Sequence, residues 1–408
     1  MRRGVALNAL GWGLPALVAL ASVPALTRTL GPERFGLLAL AWAAVAAFGQ
    51  LDLGLGRATT FLVASKRLPR DAVVAGSGAW VWLLFGPVAL LGYALAPWLA
   101  ASVLDVPAEL QDEARGVLRI LALTVPVAVH GVVLRAALEG EARWGLANAL
   151  RAPMGLVTWG GPWLVSLVSS DPRHLALVIA AGRTAYWLAQ WGALGWATRA
   201  PAMRPLLEAG GWMTVSGIVA PVLNLADRAL VPALVPIAAV GWYVGAGEAA
   251  SKLWIVATVL QPVLFQAMTA ARSRGEPLGP LLRRGLLYTL GPLSLPVLVV
   301  IVSGEPLLAM WLGPSFAPAA ATVFVWFTLA VTANSLALVA YAALHADGQA
   351  KPVAVLHLVQ LPVYVALLAW AALHWGALGA AAAWSLRLVL DAAALWWLLH
   401  RTGARASH

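Results

Sequence analysis

Cysteine is absent from the 408 residues. Disulfides, thiolate metal sites and thiol nucleophiles are therefore excluded. Charge is scarce too: 11% of residues are Asp, Glu, Lys or Arg, against about 25% in soluble domains. There is no Walker sequence and no metal-like spacing among the seven histidines, so neither ATP hydrolysis by this chain nor a resident metal or other cofactor is expected. Apolar residues fill the space left by these absences, at 61% of the chain with a mean hydropathy of +0.82. A water-soluble fold of this length has too little interior to hide that surface. A bilayer core takes about 20 apolar residues per helical span, and such runs recur from one end of the chain to the other.

Apolar runs between charged and Pro/Gly breaks predict an all-α polytopic membrane protein of about twelve transmembrane helices. They fall at residues 4–27, 36–64, 72–101, 116–138, 146–169, 174–198, 209–233, 237–270, 284–303, 318–344, 352–374 and 376–400. The run 237–270 exceeds one straight span. With the N-terminus inside, the cytoplasmic segments collect Arg2, Arg3, Lys66, Arg67 and Arg70, and later Arg272, Arg274, Arg283, Arg284 and Lys351; the outer ones hold Arg28, Arg34, Arg115 and Arg173. This positive-inside bias places both termini in the cytoplasm. It also absorbs most of the formal charge of +10, leaving nothing that calls for nucleic acid.

The halves echo each other at about half the chain length. Gly140-Glu141-Ala142-Arg143 resembles Gly348-Gln349-Ala350-Lys351, Gly36 pairs with Gly241, Arg151 with His357 and Arg183 with Arg387. Two six-helix lobes are expected, residues 1–204 and 205–408, and because six is even the repeats run parallel.

Ionisable residues inside spans are costly and mark functional sites by default. Glu248 with Lys252, and Arg387 with Asp391, are four apart and able to pair on one helix face. Asp227 and Arg228 are adjacent, about 100° apart around a helix, so each needs another partner. Arg135, Glu139 and Arg143 form an i, i+4 ladder expected to anchor a helix end. Arg119 is expected to meet Glu109 or Asp112. Arg57, Arg151 and Arg183 have no local acid and all lie in the first half. Guanidinium groups facing a cavity would attract an anion, phosphate above all. Many of the 21 Trp lie near span ends as interfacial belts, while mid-span Trp191 and Trp254 can pack in a core or stack on a sugar. A glycosyltransferase or polymerase would need a large extramembrane loop with paired acids; the loop at residues 102–115 carries acids but is too short for a domain.

Asn8, then Leu30-Gly31-Pro32-Glu33-Arg34-Phe35-Gly36, then Leu51-Asp52-Leu53-Gly54-Leu55-Gly56 resemble the start of Wzx-type polysaccharide flippases. That family lies within the multidrug, oligosaccharidyl-lipid and polysaccharide exporter superfamily. Gly211-Trp212, Asn224, Asp227-Arg228, Val240-Gly241-Trp242-Tyr243, Trp311-Leu312-Gly313-Pro314-Ser315-Phe316 and the stretch Gly376 to Trp384 extend the resemblance over the whole chain. It implies a V-shaped, two-lobed transporter in the bacterial inner membrane. Such a protein moves a polyprenyl-diphosphate-linked oligosaccharide outward by alternating access, among membrane lipids and beside polysaccharide assembly enzymes, without chemistry on the substrate. On that reading Arg57, Arg151 and Arg183, joined by Lys252 and Arg387 once their acid pairs rearrange, bind the diphosphate. Asp52, Asp227, Glu248 and Asp391 couple the cycle to H+ or Na+. A multidrug and toxin extrusion exporter shares the fold and is the alternative.

Overall fold

The computed structural model describes residues 15, 17–19, 21–23, 25, 26, 28–30, 34–38, 41, 42, 52–104, 106–195, 199–312 and 317–405. Among these residues there is no strand. An apolar helix α1 (Leu17–Leu30) is followed by α2 (Leu55–Ala64), α3 (Arg70–Trp98), α4 (Gln111–Gly140), α5 (Trp144–Ser166) and α6 (Pro172–Leu194). Then come α7 (Met203–Leu234), α8 (Ile237–Ser251), α9 (Trp254–Ser273), α10 (Gly279–Leu312), α11 (Ala317–Ala346) and α12 (Ala350–Arg405). Six helical stretches among the described residues, or seven if Gly211–Asn224 and Ala226–Leu234 count as one bent span, are long and apolar enough to cross a membrane. The chain is an all-α, multi-pass membrane protein.

Two expected runs are broken, one of them for a reason that can be named. The predicted helix 36–64, whose early part falls mostly outside the described residues, is interrupted before α2. There Leu53 and Gly54 both take positive φ, at 50° and 74°, and the Asp52 carboxylate accepts from Gly54 N (3.0 Å) and Gly56 N (2.8 Å). An acid that satisfies the orphan N–H groups of a helix start fixes where that helix begins. Gly56 is part of the device, since a Cβ there would lie 2.4 Å from Asp52 Oδ2. The predicted run 237–270 divides into α8 and α9 at Lys252–Leu253, where bonds tighten to three-residue spacing (Lys252 N→Ala249 O, Leu253 N→Ala250 O); no proline or glycine forces this. α12 runs on through the predicted gap, but Gly376 at φ 60°, ψ −145° separates two helical halves. The predicted helix 4–27 lies largely outside the described residues.

The chain divides into two compact units, Arg2–Gly211 and Trp212–His408, with Met1 grouped with the second. In the first, α4 packs on α2, α3 and α6, and α5 packs on α6. In the second, α11 packs on α8, α9, α10 and α12. α4 and α11 are the central helices: 67% and 56% of their apolar windows are buried, against 22% for both α3 and α10. The outer pair expose Leu83, Leu90 and Leu91, and Leu295, Leu298 and Val302, as lipid-facing surfaces do.

The repeat is visible in backbone hydrogen bonds. α4 ends with Ala142 N→Glu139 O and Arg143 N→Leu138 O; α11 ends with Gly348 N→His345 O and Gln349 N→Leu344 O. Both are six-to-one and five-to-two closures around a left-handed residue, Ala142 at φ 58° and Gly348 at φ 75°. These two residues are 206 positions apart, so the sequence match of Gly140 with Gly348 is out of register by two. The corrected spacing is the one that relates Arg151 to His357.

Candidate functional site

Two buried polar clusters stand out, one in each unit. In the first unit, α4 carries Arg135 and Glu139 one turn apart, paired at 2.6 Å with less than a fifth of either side chain exposed. Arg151 enters from α5 and is buried. Arg183 and Tyr186 enter from successive positions on one face of α6. Arg135, Arg151, Arg183 and Glu139 all act electrostatically on Tyr186, and Arg151 feels both other arginines. Three guanidinium groups and the Glu139 carboxylate thus lie within electrostatic reach of one tyrosine. The Tyr186 hydroxyl and Arg183 Nε are buried and have no hydrogen-bond partner among the described residues. Buried polar atoms are normally satisfied, which makes these two donors the candidate contacts for a ligand's oxygens.

The structure brings together Arg151 and Arg183 of the sequence-selected arginines and adds Arg135, whose expected ladder keeps its first rung, Arg135 to Glu139, and loses its second. Arg143 bonds Glu141 (3.3 Å) instead of Glu139, and Arg70 bonds the same Glu141 (3.3 Å). Arg57 is half-buried on α2, which also packs on α4. Arg119 lies over the Tyr93 ring at 5.0 Å, not on Glu109 or Asp112. Tyr186 was not singled out by the sequence; its only signal is a position three residues after Arg183.

The second unit gathers acids. Asp227 on α7 accepts from Tyr243 Oη of α8 at 3.1 Å, and its Oδ1 is buried without a partner among the described residues. Arg387 on α12 donates to Asn224 Oδ1 (2.8 Å) and lies 5.2 Å from the Tyr364 ring centre. It does not form the expected ion pair with Asp391. That carboxylate instead accepts from Gln360 Nε2 (3.1 Å) and Asn334 Nδ2 (3.3 Å), with His357 Nε2 at 3.4 Å. Asp391, Asp227 and Tyr364 are still the electrostatic neighbours of Arg387. Tyr341 stacks on His357 at 6.3 Å and lies 4.0 Å from His345.

Glu248 forms its expected pair with Lys252 (3.1 Å) and also takes Arg228 (2.5 Å). Lys252 is largely exposed there. Asp52 has both carboxylate oxygens engaged in the α2 cap. Among the described residues no three His, Asp or Glu are grouped as a metal site.

Ion pairs also tie the helix starts of the first unit. Arg34 reaches Glu113 of α4 (2.7 Å), and Arg173 of α6 reaches Asp112 (2.8 Å) and Asp171 (2.7 Å). Partial burial pushes the Asp171 carboxyl up, but the hydrogen bonds and charge of Arg173 outweigh it and leave it below the usual carboxylate range.

A family model described as polysaccharide biosynthesis protein matches residues 25–321. A Shigella flexneri protein named "Putative O-antigen transporter" is 27% identical over 409 residues, covering 97% of this chain and 96% of that one. Among solved structures, a MATE transporter in the bent conformation superposes with a TM-score of 0.80 at 14% identity, covering 99% of this chain and 97% of that one. In the straight conformation the values are 0.78 and 15%, with 100% and 96% covered. A MOP superfamily transporter from Pyrococcus furiosus gives 0.73 at 14%, with 98% and 95% covered. The structural likenesses speak for the fold.

Proposed function

The chain belongs to the polysaccharide biosynthesis protein family, and from that premise we propose that it is a flippase. It carries a polyprenyl-diphosphate-linked oligosaccharide from the cytoplasmic to the outer leaflet of a bacterial inner membrane by alternating access, with no bond made or broken. The observation that carries this is the cluster of Arg135, Arg151 and Arg183 around a buried Tyr186 hydroxyl that has no hydrogen-bond partner among the described residues. Arginine forks match phosphate oxygens two at a time, and a diphosphate brings the negative charge that clustered guanidinium groups attract. Arg57 receives the head group on its way in. Arg387, held by Asn224, together with Lys252 on Glu248, takes part only as those contacts exchange.

Moving negative charge outward across an inside-negative membrane is favourable by about 2.3 kcal/mol per charge per 100 mV. Asp227, Glu248 and Asp391 are the groups assigned to H+ or Na+ coupling. Asp52 is the weakest member of that set because it caps α2. Assembly enzymes for the glycan act before and after the flip.

The test is leaflet exchange of a fluorescent polyprenyl-diphosphate oligosaccharide in proteoliposomes. Exchange that requires the protein and falls in Arg183→Ala and Arg57→Ala supports the flippase. The fold likeness to MATE transporters, with acids buried in the second unit, favours one rival: if the diphosphate lipid stays put while a cationic dye is pumped, the chain is a cation-coupled drug exporter.

A further inference from the structure

Beside the arginine cluster, the first unit holds a groove of about 370 Å³ between α3, α4 and α6. Trp82, His130, Trp187 and Trp191 wall it, and Ala75 and Gly78 of α3 leave the space open. The rings form one assembly: Trp82 to Trp187 at 6.5 Å and His130 to Trp191 at 5.5 Å meet edge to face, and His130 to Trp187 at 6.0 Å is tilted. Its polarity is defined. Trp82 Nε1 donates to His130 Nδ1 at 3.1 Å, so the neutral imidazole carries its proton on Nε2. That Nε2 and Trp187 Nε1 are buried and have no acceptor among the described residues. No charged side chain lines the groove.

The groove continues the anion site along one helix. Arg183, Trp187 and Trp191 are four residues apart, so each step turns about 40° and rises about 6 Å along the same face of α6. A ligand bound by its phosphates at Arg183 therefore has its next moiety over Trp187 and Trp191.

We propose that this groove is a sugar subsite, holding one or two pyranose rings of the glycan whose diphosphate Arg183 binds; this rests on the flippase reading above. The apolar CH face of a pyranose stacks on an indole, and its hydroxyl oxygens accept from His130 Nε2 and Trp187 Nε1. A volume in the range of small-molecule pockets, about 300–1,000 Å³, suits that cargo. A prenyl chain fits the apolar walls but leaves both N–H donors buried and unsatisfied, which is costly. The diphosphate itself would find no cation here.

The test is equilibrium binding to the purified full chain in detergent, using short-chain prenyl diphosphates with no sugar or with one of several common hexoses or N-acetylhexosamines. For wild type, at least one glycosylated probe should bind about tenfold tighter than the bare diphosphate. Trp187→Ala, and separately the more exposed Trp82→Ala, should erase that preference and leave the affinity for the bare diphosphate unchanged. Trp187→Phe should retain part of it, while Arg183→Ala weakens all probes alike. The subsite is overturned if wild type shows no preference anywhere in the panel, if the preference survives both alanine variants, or if those variants weaken bare and glycosylated probes equally, which would identify a prenyl-chain or packing role. Leaflet exchange measured in parallel separates the two readings: binding preference without exchange removes the flippase and keeps the subsite, whereas exchange without preference does the reverse.

Discussion

The two central helices end in the same backbone closure, yet the side chains they place beside it differ in kind. At the 206-residue spacing fixed by Ala142 and Gly348, Arg135, Glu139 and Arg151 of the first unit correspond to Tyr341, His345 and His357 of the second. Guanidinium groups stay charged at any physiological pH, whereas an imidazole as a residue type changes charge within reach of it. One copy of the fold thus presents a fixed positive site. The other gathers Asp227, Asp391 and His357 around a single Arg387. On the proposed function the first is the place for an anion and the second the place for coupling, and this division is what the experiments should attack.

The largest effect is expected from reversing the fixed charge. Arg151→Glu places a further carboxylate beside Glu139 in the arginine cluster, and exchange of a diphosphate lipid should fall on the order of 100-fold, as for loss of a buried charged contact. The equivalent His357→Ala should leave diphosphate binding within a few-fold of wild type. Equal loss of binding in both variants would end the division of roles. Next in size, Asp391→Asn should keep the binding constant but remove the response of exchange to an imposed pH gradient. A response that persists would move the coupling to Asp227 or Glu248.

Two tyrosines sharpen the contrast at smaller scale. The Tyr186 hydroxyl has no hydrogen-bond partner among the described residues, whereas that of Tyr243 donates to Asp227 at 3.1 Å. Tyr186→Phe should leave the melting temperature in detergent unchanged and weaken diphosphate binding by about 2- to 10-fold, the worth of one hydrogen bond. Tyr243→Phe should do the opposite, costing about 1–3 kcal/mol of stability by stranding a buried carboxylate while sparing the affinity.

Much of this was legible in the sequence because the bilayer enforces it. Long apolar runs must be helices there, and the ends of α3, α4, α5, α6 and α11 fall within several residues of the predicted runs. Arg151 and Arg183 were legible because an arginine without a local acid is conspicuous in an apolar span. What was not legible depends on contacts between helices distant in sequence. Asp52 reads as an intramembrane acid until its carboxylate is seen on two backbone N–H groups, and Arg387 and Asp391 read as a pair until Asn224, Asn334, Gln360 and His357 divide them. Neutral partners such as Tyr186 and Tyr243 carry no charge signal and became visible only through packing.

The smallest test bears on the repeat itself. Ala142 and Gly348 occupy the same left-handed closure, but only glycine does so without strain between Cβ and the backbone, a difference of about 1–2 kcal/mol for an L-residue. A Cβ at Gly348 would meet nothing within 4 Å, so backbone conformation is the sole cost of adding one. Ala142→Gly should therefore raise stability by up to about 1 kcal/mol, and Gly348→Ala should lower it by a similar amount, read as opposite shifts of one melting transition. Neither residue enters the arginine cluster or the Asp391 network, so transport should be unchanged in both. Shifts of the same sign would mean that the two closures are not equivalent, and the 206-residue register that aligns arginines with histidines would fall with them.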